Sequence, residues 1–97
     1  MTRTEALARL QAALPRLKAA GVGALYLFGS TARDEAAENS DVDLFFDPDR
    51  AGLSLFDVMA VRDIAEAEMG IKVDVMTRGS LHPYLKERIE AEAVRVF

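Results

Sequence analysis

Two short segments of this 97-residue chain alternate apolar and acidic residues. Of all the features of the sequence, this alternation restricts the possible folds most. The segment Ser40–Phe46 carries Asp41 and Asp43 two positions apart. The later segment Ile71–Thr77 carries Asp74 between apolar neighbours. Side chains two residues apart on a β-strand point to the same face of the sheet, so each segment has one apolar face and one acidic face. The alternation therefore predicts a sheet that buries its apolar face under helices and displays carboxylates on the other.

Capping residues and helical spacing predict the elements around these strands. Thr2 and Glu5 form a capping-box pattern at the start of a first helix, and Ser54 and Asp57 open a long helix that Gly70 ends. The other predicted elements are a buried strand over Ala24–Phe28, a short helix over Thr31–Glu38, a last helix that His82 caps ahead of Pro83, and an edge strand over Val94–Phe97. This order predicts one α/β (α+β) domain over residues 1–97, with helices on one face of a small mixed sheet of three to four strands.

The composition narrows the classes of function. The chain has no run of about 18 uncharged apolar residues, so we expect no membrane span, and its N-terminal segment has the pattern of an amphipathic helix rather than of a secretory signal. The absence of cysteine excludes disulfides and thiolate metal sites and agrees with a cytoplasmic location. A net charge of −4 argues against broad affinity for nucleic acid, which requires many Lys and Arg side chains. A nucleotide needs only a local pocket and remains a candidate ligand.

Three carboxylates on one face of a sheet would repel one another unless a cation lay between them. Magnesium prefers carboxylate oxygens, retained waters and substrate phosphates, and two such ions can hold the attacking and leaving oxygens of an in-line displacement. An Asp-x-Asp pair alone is weak evidence, because many solvated strand ends carry one. Asp41, Asp43 and Asp74 are therefore candidate metal ligands whose convergence depends on the topology of the sheet.

Ten residues separate a glycine–serine turn from the first of these carboxylates. Gly29 and Ser30 follow an apolar strand and open a short helix, where backbone N–H groups favour an anion and glycine lets a phosphate approach closely. The alternative is an ordinary strand-to-helix turn in which Ser30 is the N-cap. Arg33 lies on about the same helical face, and it either contacts a phosphate or pairs with an acid such as Glu35.

Together these residues resemble a known signature. Leu27–Arg33 followed by Ser40–Leu44 is similar to the Gly-Ser, spacer, Asp-x-Asp pattern of the DNA polymerase beta-like nucleotidyltransferase superfamily. The short chain and the late strand around Asp74 most resemble the minimal nucleotidyltransferases, or MNT proteins. Arg33 matches an arginine common in that motif, whereas Asp34 stands where the family often has glycine. The resemblance implies a nucleotidyltransferase fold and transfer of AMP from ATP with release of pyrophosphate, supported by magnesium, with two ions.

The resemblance also implies a role for each matching residue. Gly29 and Ser30 would hold the triphosphate, with Arg33 beside them as a nucleotide-binding residue. The two carboxylates of the Asp-x-Asp pair would bind both magnesium ions. Asp74 would hold the catalytic ion and help to activate the acceptor hydroxyl.

The same resemblance implies a partner. MNT proteins are commonly paired with a helical HEPN toxin, and studied members add AMP to a tyrosine of that toxin and silence it. This chain would then be the adenylyltransferase antitoxin of a toxin–antitoxin module, with its site completed by the toxin or by a second copy of the chain. The alternatives are an antitoxin that acts by binding alone and an enzyme that modifies a small molecule. The complete set of carboxylates opposes the first, and the short chain opposes the second.

Overall fold

A four-stranded mixed sheet forms the centre of the computed structural model, which describes residues 1–97. Its strands are β1 (Val22–Phe28), β2 (Val42–Pro48), β3 (Val73–Thr77) and β4 (Val94–Arg95). Their order across the sheet is β3-β2-β1-β4. β1 is antiparallel to both β2 and β4, whereas β2 and β3 are parallel. The predicted fold class is confirmed.

Five α-helices surround the sheet: α1 (Arg3–Ala12), α2 (Leu14–Ala19), α3 (Gly29–Ala32), α4 (Leu55–Met69) and α5 (Pro83–Glu92), with a 3₁₀ turn over Arg78–Ser80. The predicted capping box at α4 is present, because the Ser54 side chain accepts from the Asp57 N–H and the Asp57 carboxylate accepts from the Ser54 N–H. Gly70 ends the helix in the left-handed conformation, with φ of +74°. No helix reaches the combination of length and hydropathy that a bilayer crossing requires.

The main core lies between one face of the sheet and the layer formed by α1, α2 and α4. Val42, Leu44 and Phe46 point into it from β2, and Val73 does so from β3, as the alternation predicts. A smaller cluster on the opposite face consists of Phe28, Phe45 and Leu81, against which Ile89 of α5 packs. The face that carries the acids is therefore partly covered by α5.

Several predicted boundaries differ from the structure by two residues: β1 begins at Val22 and not Ala24, α3 at Gly29 and not Thr31, β2 at Val42 and not Ser40, β3 at Val73 and not Ile71, and β4 ends at Arg95 and not Phe97. Two further differences have a visible cause. The short helix α3 ends at Ala32 instead of continuing to Glu38, because Asp34 adopts a left-handed backbone with φ of +60°. β2 continues to Pro48 instead of ending at Phe46. A proline is tolerated there because it lies at the end of the strand and opposite an irregularity in the register of β1.

Candidate active site

The parallel register of the sheet brings the acidic side chains together. Asp43 on β2 lies directly opposite Asp74 on β3, so both carboxylates are on the face away from the main core. Asp41 comes immediately before β2. Burial, followed by the charges of Asp74 and Asp41, raises the pKa of Asp43 above its ordinary value, whereas Arg33 opposes this rise. The structure therefore places both Asp74 and Asp41 within electrostatic reach of Asp43.

The chemistry of these donors suits a hard cation. All three are carboxylates, the oxygen ligands that magnesium prefers, and a divalent ion would relieve the like-charge repulsion that acts on Asp43. The side chains are not yet arranged around a common point, however, because no group of three or more acidic or histidine side chains in the structure has the geometry of a metal site. Asp41 instead lies 4.0 Å from the ammonium group of Lys72, measured from Oδ2 to Nζ. The residues therefore fit magnesium in two respects: they are carboxylates, and they lie on or next to neighbouring strands.

Gly29 is packed against the acidic strand more tightly than the sequence indicates. A Cβ atom built on Gly29 would lie 2.3 Å from Oδ2 of Asp43, and the residue has a φ of +75°. Real Cβ atoms essentially never come within 3.0 Å of another heavy atom. Glycine therefore avoids backbone strain at this position and leaves the space that the Asp43 carboxylate occupies.

Ser30 is not the N-cap of α3. Phe28 holds that position, and it makes no side-chain cap hydrogen bond, so the alternative reading of Ser30 as a simple cap is wrong. Ser30 belongs to the first turn of the helix. Ser30 thus follows Gly29 directly in the first turn of α3, where the backbone N–H groups have no acceptor within the helix.

Asp34 takes the conformation that a glycine would take. The N–H of Asp34 donates to the carbonyl of Thr31 at 3.1 Å, and the N–H of Glu35 donates to the carbonyl of Ser30 at 2.8 Å. This pair of bonds is a Schellman motif, in which the left-handed residue is usually glycine. The Asp34 carboxylate also accepts from the backbone N–H of Arg3 at 3.0 Å. The turn is thus retained without glycine.

Arg33 is engaged by two acids. Its Nε donates to Oε2 of Glu35 at 3.2 Å, and its Nη1 donates to Oε2 of Glu92 at 3.2 Å. The hydrogen bond to Glu35 and then that to Glu92 raise the pKa of Arg33. Of the two readings of Arg33 in the sequence, pairing with a nearby acid is observed, while contact with a phosphate stays a prediction.

A pocket of about 210 Å³ lies between the Gly29 turn and α5. The residues that line it are Phe28, Gly29, Arg33, Leu85, Arg88, Ile89 and Glu92. Sequence reasoning missed the contributions of Arg88 and Glu92. Their i, i+4 spacing was visible as a helical ion pair, but nothing local showed that they face Arg33.

Arg78 fixes α5 over the acidic face of the sheet, and sequence reasoning missed it as well. Its guanidinium donates to both carboxylate oxygens of Asp47, at 2.7 and 3.0 Å, and to Glu90 of α5 at 2.5 Å. It also stacks on the rings of Tyr26 and Phe45, 4.8 and 5.0 Å from their centroids. The hydrogen bonds to the two acids raise the pKa of Arg78.

His82 is a capping residue, as predicted. Its Nδ1 accepts from the backbone N–H of Tyr84 at 3.2 Å, which satisfies a donor in the first turn of α5.

The sequence comparisons with known proteins agree on one family. The family model described as nucleotidyltransferase domain matches residues 7–96. A protein of Methanocaldococcus jannaschii whose name provisionally assigns it as a protein adenylyltransferase is 42% identical over 83 residues, which are 86% of this chain and 88% of that protein. The protein adenylyltransferase MntA of Thermococcus cleftensis is 34% identical over 76 residues, which are 78% of this chain and 76% of the relative.

Solved structures agree with these sequence relatives. A structure provisionally described as a minimal nucleotidyltransferase superimposes with a TM-score of 0.83 at 33% identity, covering 97% of this chain and 95% of that one. A toxin–antitoxin crystal structure with AMP-PNP has a TM-score of 0.72 at 17% identity, covering 90% and 72% of the two chains. The second likeness is one of fold alone.

Proposed function

Because this chain belongs to the nucleotidyltransferase domain family and, within it, to the minimal nucleotidyltransferases, we propose that it transfers AMP from ATP to a hydroxyl group of a partner protein. The enzyme class follows from the family. The observation that carries the particular reaction is the register that sets Asp43 opposite Asp74 beside the Gly29 turn, because it brings carboxylates next to the start of α3, where backbone N–H groups favour an anion.

In this proposal each residue has a defined task. Gly29 and Ser30 bind the triphosphate through backbone N–H groups and the serine hydroxyl. Asp41, Asp43 and Asp74 would hold magnesium, with two ions expected, and bound magnesium would neutralise phosphate charge and lower the pKa of the acceptor hydroxyl.

The transfer itself is an in-line displacement. The acceptor oxygen attacks the α-phosphorus of ATP, a new oxygen–phosphorus bond forms, and the bond to pyrophosphate breaks. The carboxylate of Asp74, which is exposed beside Asp43, takes the proton of the hydroxyl. Such transfer depends mainly on positioning and electrostatic stabilisation, so a small domain can provide what it needs.

The partner in this proposal is a toxin. MntA is the name of one relative, and three structures of similar fold are toxin–antitoxin structures. One of them holds a tri-AMPylated Shewanella oneidensis HEPN toxin with an MNT antitoxin, at 14% identity and a TM-score of 0.64. By analogy, the acceptor here is a tyrosine of a cognate HEPN-type toxin in the cytoplasm. Modification of that tyrosine would make this chain the antitoxin of the pair.

A transfer assay with labelled ATP tests the proposal. The protein is incubated with magnesium and a HEPN-type toxin from the same genome, and label on the toxin is measured for wild type and for Asp41→Asn, Asp43→Asn and the double variant. We expect each substitution to remove transfer while the fold is kept. The matched control is Asp63→Asn, which removes an acid on α4 whose partner is the adjacent Arg62, and it should transfer normally.

Undiminished transfer by the double variant would refute the proposed site. Inhibition of the toxin without any label on it would instead favour an antitoxin that acts by binding alone.

A further inference from the structure

Glu92 lies between two arginines at the wall of the pocket beside Gly29. One carboxylate oxygen, Oε2, is 3.2 Å from Nη1 of Arg33, and the other, Oε1, is 3.5 Å from Nε of Arg88. The two guanidinium groups come from different elements, α3's C-terminal turn and α5. A single carboxylate therefore connects the two guanidinium groups, and Arg33 has Glu35 as a second acidic partner at its Nε.

Glu92 occupies a position in its helix at which a carboxylate is destabilising. It is the last residue of α5, where the partial negative charge of the helix dipole makes a carboxylate unfavourable. The ion pairs with Arg33 and Arg88 offset this effect. The i, i+4 pair with Arg88 lies within α5, whereas the contact with Arg33 lies outside it, so helix stability alone does not account for an acid here.

Two guanidinium groups around one carboxylate form an anion-binding arrangement. Guanidinium groups bind phosphate oxygens with the same fork geometry that they use for carboxylates. All three side chains line the pocket, which also includes Gly29, and Arg33 and Arg88 are 41% and 75% exposed. A polyphosphate carries more negative charge than one carboxylate, so it can displace Glu92 from both arginines.

We propose that this pocket binds the polyphosphate of the nucleotide through Arg33 and Arg88, and that Glu92 occupies the same arginines when no nucleotide is bound. Glu92 then competes with phosphate and sets the affinity of the site. The inference rests on the proposed nucleotidyltransferase function and adds Arg88 as a binding residue and Glu92 as a residue that determines affinity.

Titration calorimetry in magnesium-free buffer tests this inference, because it measures contacts to the arginines apart from those at the aspartates. The probes are ATP, inorganic tripolyphosphate and adenosine. Glu92→Gln should bind ATP and tripolyphosphate about 3- to 10-fold more tightly, the range expected when two partly exposed ion pairs no longer compete. Arg88→Gln should weaken both by about 10-fold through loss of a charge-assisted hydrogen bond.

A matched control separates this effect from a general change of charge. Glu68→Gln removes an acid that pairs with Arg16 in the helical layer on the other side of the sheet, and its polyphosphate affinity should equal that of wild type. Affinity for adenosine should stay the same in all variants. Added salt should narrow the difference between Glu92→Gln and wild type.

The inference is overturned if Glu92→Gln binds tripolyphosphate no more tightly than wild type, if Glu68→Gln gains as much, or if wild type binds no polyphosphate. Its outcome is separate from that of the proposed function. A Glu92-dependent affinity together with no magnesium-dependent transfer would reject the function alone, and transfer without any effect of Glu92 would reject the inference alone.

Discussion

Replacement of Gly29 by alanine changes the contact between the glycine turn and the acidic strand. The new Cβ would lie 2.3 Å from Oδ2 of Asp43. To reach an ordinary van der Waals separation, the carboxylate has to withdraw by about 1 Å. The Asp43 carboxylate would then be displaced, although its backbone stays opposite Asp74 on the neighbouring strand.

The substitution has two separate effects, one on stability and one on activity. An alanine at a φ of +75° costs about 1 to 2 kcal/mol in backbone strain, which lowers the free energy of unfolding. A shift of about 1 Å in a catalytic group can reduce the rate about 100-fold, which corresponds to about 2.7 kcal/mol in the activation barrier. We therefore expect Gly29→Ala to be moderately less stable and nearly inactive.

The chain contains a matched control for the strain. Gly70 has nearly the same backbone conformation, with φ of +74°, but a Cβ there would have no heavy atom within 4 Å. Gly70→Ala should lose a similar free energy of unfolding, measured by urea denaturation, and keep its transfer activity at temperatures where it is folded. Equal activity in the two alanine variants would refute the reasoning, because the clash with Asp43 would then have no effect on the chemistry.

Three further predictions concern stability. Asp34→Ala should be about 1 kcal/mol less stable than Asp34→Gly in urea denaturation, because both lose the bond to Arg3 but only alanine is strained at φ of +60°; equal stability would contradict this. Hydrogen bonds from Ser54 lower the pKa of Asp57, so its contribution is complete above the ordinary value of 3.8 and is lost as the pH falls through the lower folded value. Asp57→Asn should accordingly melt below wild type at neutral pH, with a difference that closes on acidification; a difference independent of pH would exclude this cause. Arg78→Gln should lower the free energy of unfolding by about 1 to 2 kcal/mol and speed hydrogen exchange in α5 more than in α4, since it removes the bonds to Asp47 and Glu90; uniform exchange would show that Arg78 does not hold α5.

Features that depend on neighbours within a few residues could be read from the sequence. The alternation in the Asp41–Asp43 segment predicts which side chains enter the core, because the period of a strand is two regardless of its partners. The Ser54–Asp57 capping box and Gly70 predict the ends of α4 for the same reason. At α3 the local rule failed at a residue that has a distant contact. α3 ends early at Asp34, whose carboxylate is bound by the N–H of Arg3, 31 positions away.

By itself, then, the sequence determined the faces of the strands, the limits of the longest helix and the residue types of the candidate site. Only the tertiary structure decided that Asp43 lies opposite Asp74, that Gly29 has no room for a side chain beside Asp43, and that Glu92 meets Arg33. The physical reason is that strand register and helix placement result from the packing of the whole core, in which residues far apart in the chain compete for the same space. Local patterns carry no information about the outcome of that competition.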